Sequence, residues 1–218
     1  MATVILDIGS THMGDTEQAH IALKKAWDCG ADIVKFQFCH PINGNIPLDM
    51  KILPDLKIEA DCAGIRLMCS VWDFAGIDAL STAGIREVKF AHSMRNEWKL
   101  IQASVPAFDH IYITSDFMHI RPEILPDKIK WLYTYEINGT PVYPVTALID
   151  FRGIRDWGFS GFSSHAVDPE QLLHAYHAGL EILEWHVNFN PQAECPDARF
   201  ALTERQTTDI IRRIRDAS

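Results

Sequence analysis

The chain has 218 residues, 47% of them hydrophobic and 22% charged, with a formal net charge of -9. That length and balance supply a sizeable core for one large domain or two small ones. The acidic balance disfavours nucleic acid and anionic membranes as partners, although a local cluster of Lys and His could still hold a small anion.

Cys29, Cys39, Cys62, Cys69 and Cys195 are scattered and form no CxxC pair, which fits free thiols in a reducing compartment. The N-terminus has no basic, apolar leader, and no apolar run nears the roughly 20 residues of a membrane span. The expectation is a soluble cytoplasmic protein.

Along the chain, strand and helix patterns alternate. "TVILD" (3–7) is a β-rich run, and residues 15–30 follow with apolar residues at helical spacing, Asp15 and Gln18 as a capping box and Gly30 as a stop. "DIVKFQF" (32–38) is the second strand, 55–64 a helix stopped by Gly64, and "IRLMCS" (65–70) the third strand. A helix over 74–84 leads to "REVKFA" (86–91), and Asn96 is read as a cap for the helix before "HIYITS" (110–115). "KIKWLYTY" (128–135) and "GFSGFSS" (158–164) are the sixth and seventh strands. Asp168-Pro169 opens a helix with Pro at its first position, "EILEWH" (181–186) is the eighth strand, and Thr203 with Gln206 opens the last helix. Residues 40–54 and 136–157 read as loops.

Short strands that are apolar on both faces and alternate with helices are the pattern of a parallel sheet covered by helices. Eight such units predict one (β/α)8 barrel domain over residues 1–218. A doubly wound open sheet is the rival fold, but "DIGSTHMGD" after the first strand does not match the glycine-rich phosphate turn GxGxxG.

In a barrel, chemistry gathers at the C-terminal ends of the strands. The residues expected there are unusually polar: Asp7 and His12, Lys35 and Gln37, Ser70, Lys89 and His92, Thr114, Ser115 and Asp116, Ser163 and His165, Glu184 and His186. Lys35 and Lys89 stand inside apolar runs, where a lysine is costly unless it meets an anion or snorkels to the rim. Their equivalent strand positions favour a shared anion, to which the hydroxyls of Ser70, Thr114, Ser115 and Ser163 could donate. His165 and His186 end consecutive strands and suit two metal ligands, with imidazole favouring Mn, Fe, Co or Zn over Mg or Ca. Two protein ligands would leave open positions for water and substrate. His174 and His177, three apart on a helix, read as surface or packing residues. No hydrolase-type serine elbow is present.

"DIGSTHMGD", "GADIVKFQ", "VKFAHS", "GFSSHAVD", "ILEWHV" and "CPDARFAL" fall in the order and at about the spacing of the motifs of the sialic acid synthase (N-acetylneuraminate synthase) family. The chain resembles that family over nearly its whole length. The resemblance implies a (β/α)8 barrel that condenses phosphoenolpyruvate with an aldose such as N-acetylmannosamine, using a divalent metal, Mn before Mg, Co or Zn. His165 and His186 match the metal-binding histidines. Lys35 and Lys89 match the lysines that hold phosphoenolpyruvate, with Gln37, Ser70, Ser163 and Thr114 or Ser115 among its polar contacts. Tyr143 and Asp197 match residues of the sugar site, and Asp7 stands for a glutamate that assists proton transfer.

The implied reaction has C3 of phosphoenolpyruvate attack the aldehyde, water add at C2, and phosphate leave by C–O cleavage. The partners it implies are these two small molecules, with a homodimer as the oligomeric state to test. The departures are specific. The family's NH pair reads Thr11-His12, a phosphate-contacting serine is His92, a nearby glutamate is Met94, and Ser164 replaces an aspartate. The reading is of a short form without the family's C-terminal antifreeze-like domain.

Two other readings stay open. One is a pyruvate-type aldolase with Lys35 or Lys89 as a Schiff base. The other is a barrel that binds metal and anion without turnover, as a sensor or subunit.

Overall fold

The structure, a computed structural model, describes residues 1–38, 45–116, 126–137, 140–141, 149–164 and 168–217. Eight parallel strands carry it: β1 (Thr3–Gly9), β2 (Ile33–Gln37), β3 (Arg66–Ser70), β4 (Glu87–Phe90), β5 (His110–Ser115), β6 (Ile129–Tyr133), β7 (Gly161–Ser164) and β8 (Ile182–Asn188). Each pairs with the next in chain order, and β8 pairs back onto β1 from Thr3↔Ile182 to Asp7↔His186, so the sheet closes. The fold is the (β/α)8 barrel expected, with every predicted strand in place.

Seven helices among the described residues cover the sheet: α1 (Thr16–Asp28), α2 (Leu53–Ala63), α3 (Phe74–Thr82), α4 (Trp98–Ser104), α5 (Phe151–Asp156), α6 (Glu170–His177) and α7 (Glu204–Asp216). They form where the sequence offers an apolar face at helical spacing. In α1 the buried residues are Ala19, Ala22, Leu23 and Ala26, and in α7 they are Thr207, Ile210, Ile211 and Ile214. No helix is long and apolar enough to cross a membrane among the described residues.

Cap chemistry matches the sequence in part. Thr203 and Gln206 form the reciprocal capping box. Asp15 caps α1 by accepting from the Glu17 and Gln18 amides, one half of the box expected. Three local readings are corrected. The segment read as loop over 136–157 holds α5 and a small antiparallel ladder, Glu136–Ile137 with Thr140–Pro141. Helix α4 begins at Trp98 with Glu97 rather than Asn96 at the N-cap, and Pro169 precedes α6 instead of opening it. A short extra strand, Leu202–Thr203, extends the sheet beside the end of β8.

Two apolar layers result. The outer core lies between strands and helices and includes Val4, Leu6, Val34, Val88, Phe90 and Leu183. The inner core plugs the barrel with Ile5, Ile33, Met68, Tyr112, Leu132 and Ile182. Gly161 lets β7 fit against its neighbours, because a Cβ there would collide with the Ile182 carbonyl and come within 2.7 Å of Leu132. Because strand side chains alternate, the residues two positions beyond the plug residues also face the barrel axis, one layer closer to the C-terminal ends.

Candidate active site

That next layer is charged. Asp7 follows Ile5, Lys35 follows Ile33, Ser70 follows Met68, Thr114 follows Tyr112 and Glu184 follows Ile182, each by two residues. The strand register sets Asp7 beside both Lys35 and His186, Ser70 beside Lys89, and Glu184 beside Ser163. All eight of these side chains belong to buried residues. Four ionisable groups join into one chain of contacts. Lys35 Nζ lies 2.7 Å from Asp7 Oδ2 and 2.5 Å from Glu184 Oε1, and Lys89 Nζ donates to Glu184 Oε2. Glu184 on β8 thus reaches across the barrel axis to β4. Asp7 also meets His186 Nε2 at 3.3 Å and accepts from Gln37 Nε2 at 3.3 Å and from the Gly9 amide at 2.9 Å.

The charges set one another's protonation. Burial pushes the Asp7 carboxyl up, but His186 and Lys35 outweigh it and hold Asp7 below its ordinary value. Burial acts the same way on Glu184, and Lys35 and Lys89 hold it well below the usual range. Lys35 is disfavoured by burial, yet Asp7 and Glu184 together hold it above the ordinary lysine value. Lys89 differs. It meets one carboxylate instead of two, and burial, with Lys35 adding to it, pushes it down to about 8 against the pull of Glu184. Two lysines and two carboxylates balance, so the layer carries no net formal charge when all four are ionised.

Above this layer, the loop after β1 folds onto the turn Pro196–Arg199. The Ser10 amide donates to Asp197 Oδ2 at 2.6 Å. Gly9 takes a left-handed φ of 53°, and a Cβ there would sit 2.5 Å from Asp197 Oδ2 and 3.1 Å from His186 Nδ1. Only glycine admits that conformation and that closeness together. His12 is buried, and its Nδ1 accepts from the Gly14 amide at 2.9 Å. Burial pushes His12 down to about 4, Asp197 opposing, so its imidazole is neutral at pH 7.

At the ends of β4 and β5, His92 Nε2 lies 3.0 Å from Asp116 Oδ1, and Arg95 Nη1 lies 3.1 Å from His92 Nδ1. Thr114 Oγ1 is buried and has no hydrogen-bond partner among the described residues. Ser115 and Ser163 are buried.

Of the residues singled out from sequence, the fold brings Asp7, Lys35, Ser70, Lys89 and Ser163 to one layer, with Gln37 and His186, two residues further along their strands than Lys35 and Glu184, in contact with Asp7. It sets Asp197 beside His186, and places His92, Thr114 and Ser115 at neighbouring strand ends. His165 and Tyr143 lie outside the described residues. Both lysines meet carboxylates of the chain itself. Sequence reasoning placed the residue that joins them, Glu184, among the polar strand ends but gave it no role. The signal was present: Glu184 stands two before His186 in an apolar run, the same anomaly that marked the lysines.

Among the described residues no group of three or more His, Cys, Asp or Glu is arranged to hold a metal ion. His186 is the one described member of the expected pair. Asp7 Oδ2 lies 3.3 Å from His186 Nε2, so one nitrogen donor and one oxygen donor of the kind that suits a divalent transition ion stand side by side there.

The NeuB family matches residues 155–218, the segment that holds β7, β8 and Asp197. Compared by sequence, no curated protein matches the chain. Compared as a fold, the chain is similar to the N-acetylneuraminic acid (sialic acid) synthetase of Leptospira borgpetersenii, at a TM-score of 0.83 and 18% identity, covering 99% of this chain and 84% of that one. It is similar to a spore coat polysaccharide biosynthesis protein of Bacillus subtilis, at 0.82 and 20%, covering 99% and 67%. A DAHP synthase of Thermotoga maritima matches at 0.78 and 13%, covering 99% and 69%. The resemblance read from the sequence motifs therefore meets a NeuB segment at the C-terminal end and the same barrel throughout.

Proposed function

We propose that this chain joins phosphoenolpyruvate to an aldehyde sugar of the N-acetylmannosamine kind, giving a 3-deoxy-2-keto sugar acid and inorganic phosphate. The observation that carries the reading is the buried layer of Lys35, Lys89, Asp7 and Glu184 at the C-terminal end of a closed barrel. Burying four charges costs several kcal/mol per ion before their mutual attraction is counted. An apolar layer like the plug below would serve folding alone. The NeuB match over β7 and β8 and the sialic acid and DAHP synthases of the same fold support the condensing class.

In this reading the lysines hold the carboxylate and phosphate of phosphoenolpyruvate, and the buried hydroxyl of Thr114 donates to it. Charge that builds as C3 attacks and water adds at C2 is stabilised by groups already fixed in place. Atoms balance: phosphoenolpyruvate, aldose and water give the keto acid and phosphate. Asp7 is held ionised, so it serves as the acceptor of a proton rather than its donor. Glu184 keeps both lysines charged and positioned. A divalent ion, Mn first, would be held by His186 with His165 and would supply Lewis-acid polarisation of the aldehyde.

The test is phosphorus NMR of the purified chain with Mn, phosphoenolpyruvate and a panel of aldoses. Phosphate release that needs an aldose, stops on chelation and is absent in His186→Ala is the expected result. Bound phosphoenolpyruvate without release for any acceptor would move the assignment to a binding barrel.

A second reading rests on Lys89, a buried amine pushed down to about 8 and set near a second lysine. That is the environment of an imine-forming lysine. Borohydride would then trap a pyruvate adduct on Lys89, which the condensing mechanism does not form.

A further inference from the structure

We propose that Arg95 is an oxyanion-binding residue of the barrel mouth, presented side-on by His92. The turn His92–Met94 follows β4, and Arg95 closes it. The guanidinium's hydrogen bonds among the described residues all fall on Nη1, which donates to the His92 carbonyl at 2.8 Å and to His92 Nδ1 at 3.1 Å. A guanidinium only donates, so His92 Nδ1 is the acceptor and the ring proton sits on Nε2, where it is donated to Asp116 Oδ1 at 3.0 Å. Both ring nitrogens of His92 are thus committed. The residue that stands where the family has a phosphate-contacting serine acts here as a positioning residue.

Among the described residues the other edge of Arg95 is unspent. Nε is buried without a hydrogen-bond partner among them, and the carboxylate oxygen it pairs with there, Asp116 Oδ1, is 3.7 Å away, beyond hydrogen-bond range. The Nε–H and Nη2–H bonds point the same way and form the fork that matches two oxygens of a carboxylate or phosphate. A buried charged donor left unsatisfied is costly, and an oxyanion at this edge removes that cost. The charge balance below points the same way. Asp7 and Glu184 offset Lys35 and Lys89, so a dianion entering the mouth needs a further cation. Arg95, with 21% of its side chain exposed, is a further cation at the strand ends, and Asp116 offsets it only at a distance.

The ligand group is a phosphate or carboxylate, either on phosphoenolpyruvate or on an anionic acceptor. That choice rests on the condensing function proposed above; the binding edge does not. The test measures binding of phosphoenolpyruvate and of inorganic phosphate by calorimetry to the full chain and to Arg95→Met, Arg95→Lys, His92→Ala and His92→Gln. It also measures KM for erythrose 4-phosphate and for neutral N-acetylmannosamine.

Arg95→Met should weaken phosphoenolpyruvate or the phosphorylated acceptor by about tenfold or more, leaving KM for the neutral sugar unchanged. Arg95→Lys keeps the charge but loses the fork and should fall between, and it decides the matter if the Met variant does not fold. His92→Ala should share the loss and His92→Gln, which can accept and donate in the same places, should restore it. Weakening confined to phosphoenolpyruvate assigns the edge to that substrate, and weakening confined to the aldose phosphate assigns it to the acceptor. Unchanged affinities and KM values in Arg95→Met overturn the proposal and leave the condensing function standing. If the parent chain binds no phosphoenolpyruvate, the condensing function fails and inorganic phosphate alone decides Arg95: a loss in Arg95→Met sustains the edge, and no loss ends it.

Discussion

The barrel axis carries charge on both sides of its apolar plug, and the two sides are built differently. On the N-terminal side Arg66 Nη1 meets Glu87 Oε1 at 2.7 Å and Tyr112 donates its hydroxyl to Glu87 Oε2 at 3.1 Å. One cation there meets one carboxylate, and the Arg66 side chain is 44% exposed. Water shares in that pair. On the C-terminal side four charged groups are each no more than 5% exposed and depend on one another. The first arrangement is how a chain closes the end of a barrel cheaply. The second is a concentration of preorganised charge that folding alone does not call for.

The comparison breaks most visibly at Glu184. Glu184→Gln leaves Lys35 and Lys89 facing Asp7 alone, so it should cost about 3–5 kcal/mol of stability, the range for uncoupling a buried ion pair. Denaturant titration reads the loss. Phosphate release should fall by about a hundredfold or more, since the charged layer is no longer held in place.

The acid limb of the stability curve should belong to the C-terminal side as well. His12 is held near 4 when folded against 6.5 as an ordinary histidine. Between those values the unfolded chain binds a proton that the folded chain refuses. Stability is therefore full above pH 6.5 and is lost as pH falls towards 4, by about 3–4 kcal/mol at most for this one group at 1.4 kcal/mol per unit. In His12→Gln that part of the slope should vanish from thermal melts. A parallel slope in parent and variant would show that other groups carry it. Tyr112 on the N-terminal side is pushed above the ordinary tyrosine range by burial and by Glu87, so it adds nothing to the acid limb.

The smallest effect is expected on the N-terminal side itself. Glu87→Gln keeps a partner for Tyr112 and leaves Arg66 to water, so about 1–2 kcal/mol of stability should go. Phosphate release should stay within about twofold of the parent, because the active sites of such barrels lie at the opposite face. A large loss of turnover without unfolding would erase the distinction between the two sides.

Much of this was legible in the sequence because barrel strands are buried on both faces. Apolar runs of five or six residues bounded by turns stand out, and a lysine inside one stands out further. Helix α5 was not legible: "FRGIRD" is six residues long, and its clearest sign is Asp150, whose side chain accepts from the Gly153 amide. The lysines' partners were hidden for a different reason. Which carboxylate meets Lys89 depends on closure of β8 onto β1, which puts Glu184 across the axis from β4. Spacing along the chain does not encode that distance. The role of His92 was hidden similarly, since only the turn after β4 brings Arg95 back onto its ring. Motif resemblance located these positions without telling how they contact one another.

The central claim is that the buried lysine–carboxylate layer exists to hold phosphoenolpyruvate. Calorimetric titration of phosphoenolpyruvate into the parent chain and into Lys89→Met tests it most directly, with circular dichroism to establish that both are folded. Saturable binding by the parent, lost in a folded Lys89→Met, is the result predicted. Equal binding by both, or none by the parent, would contradict the account.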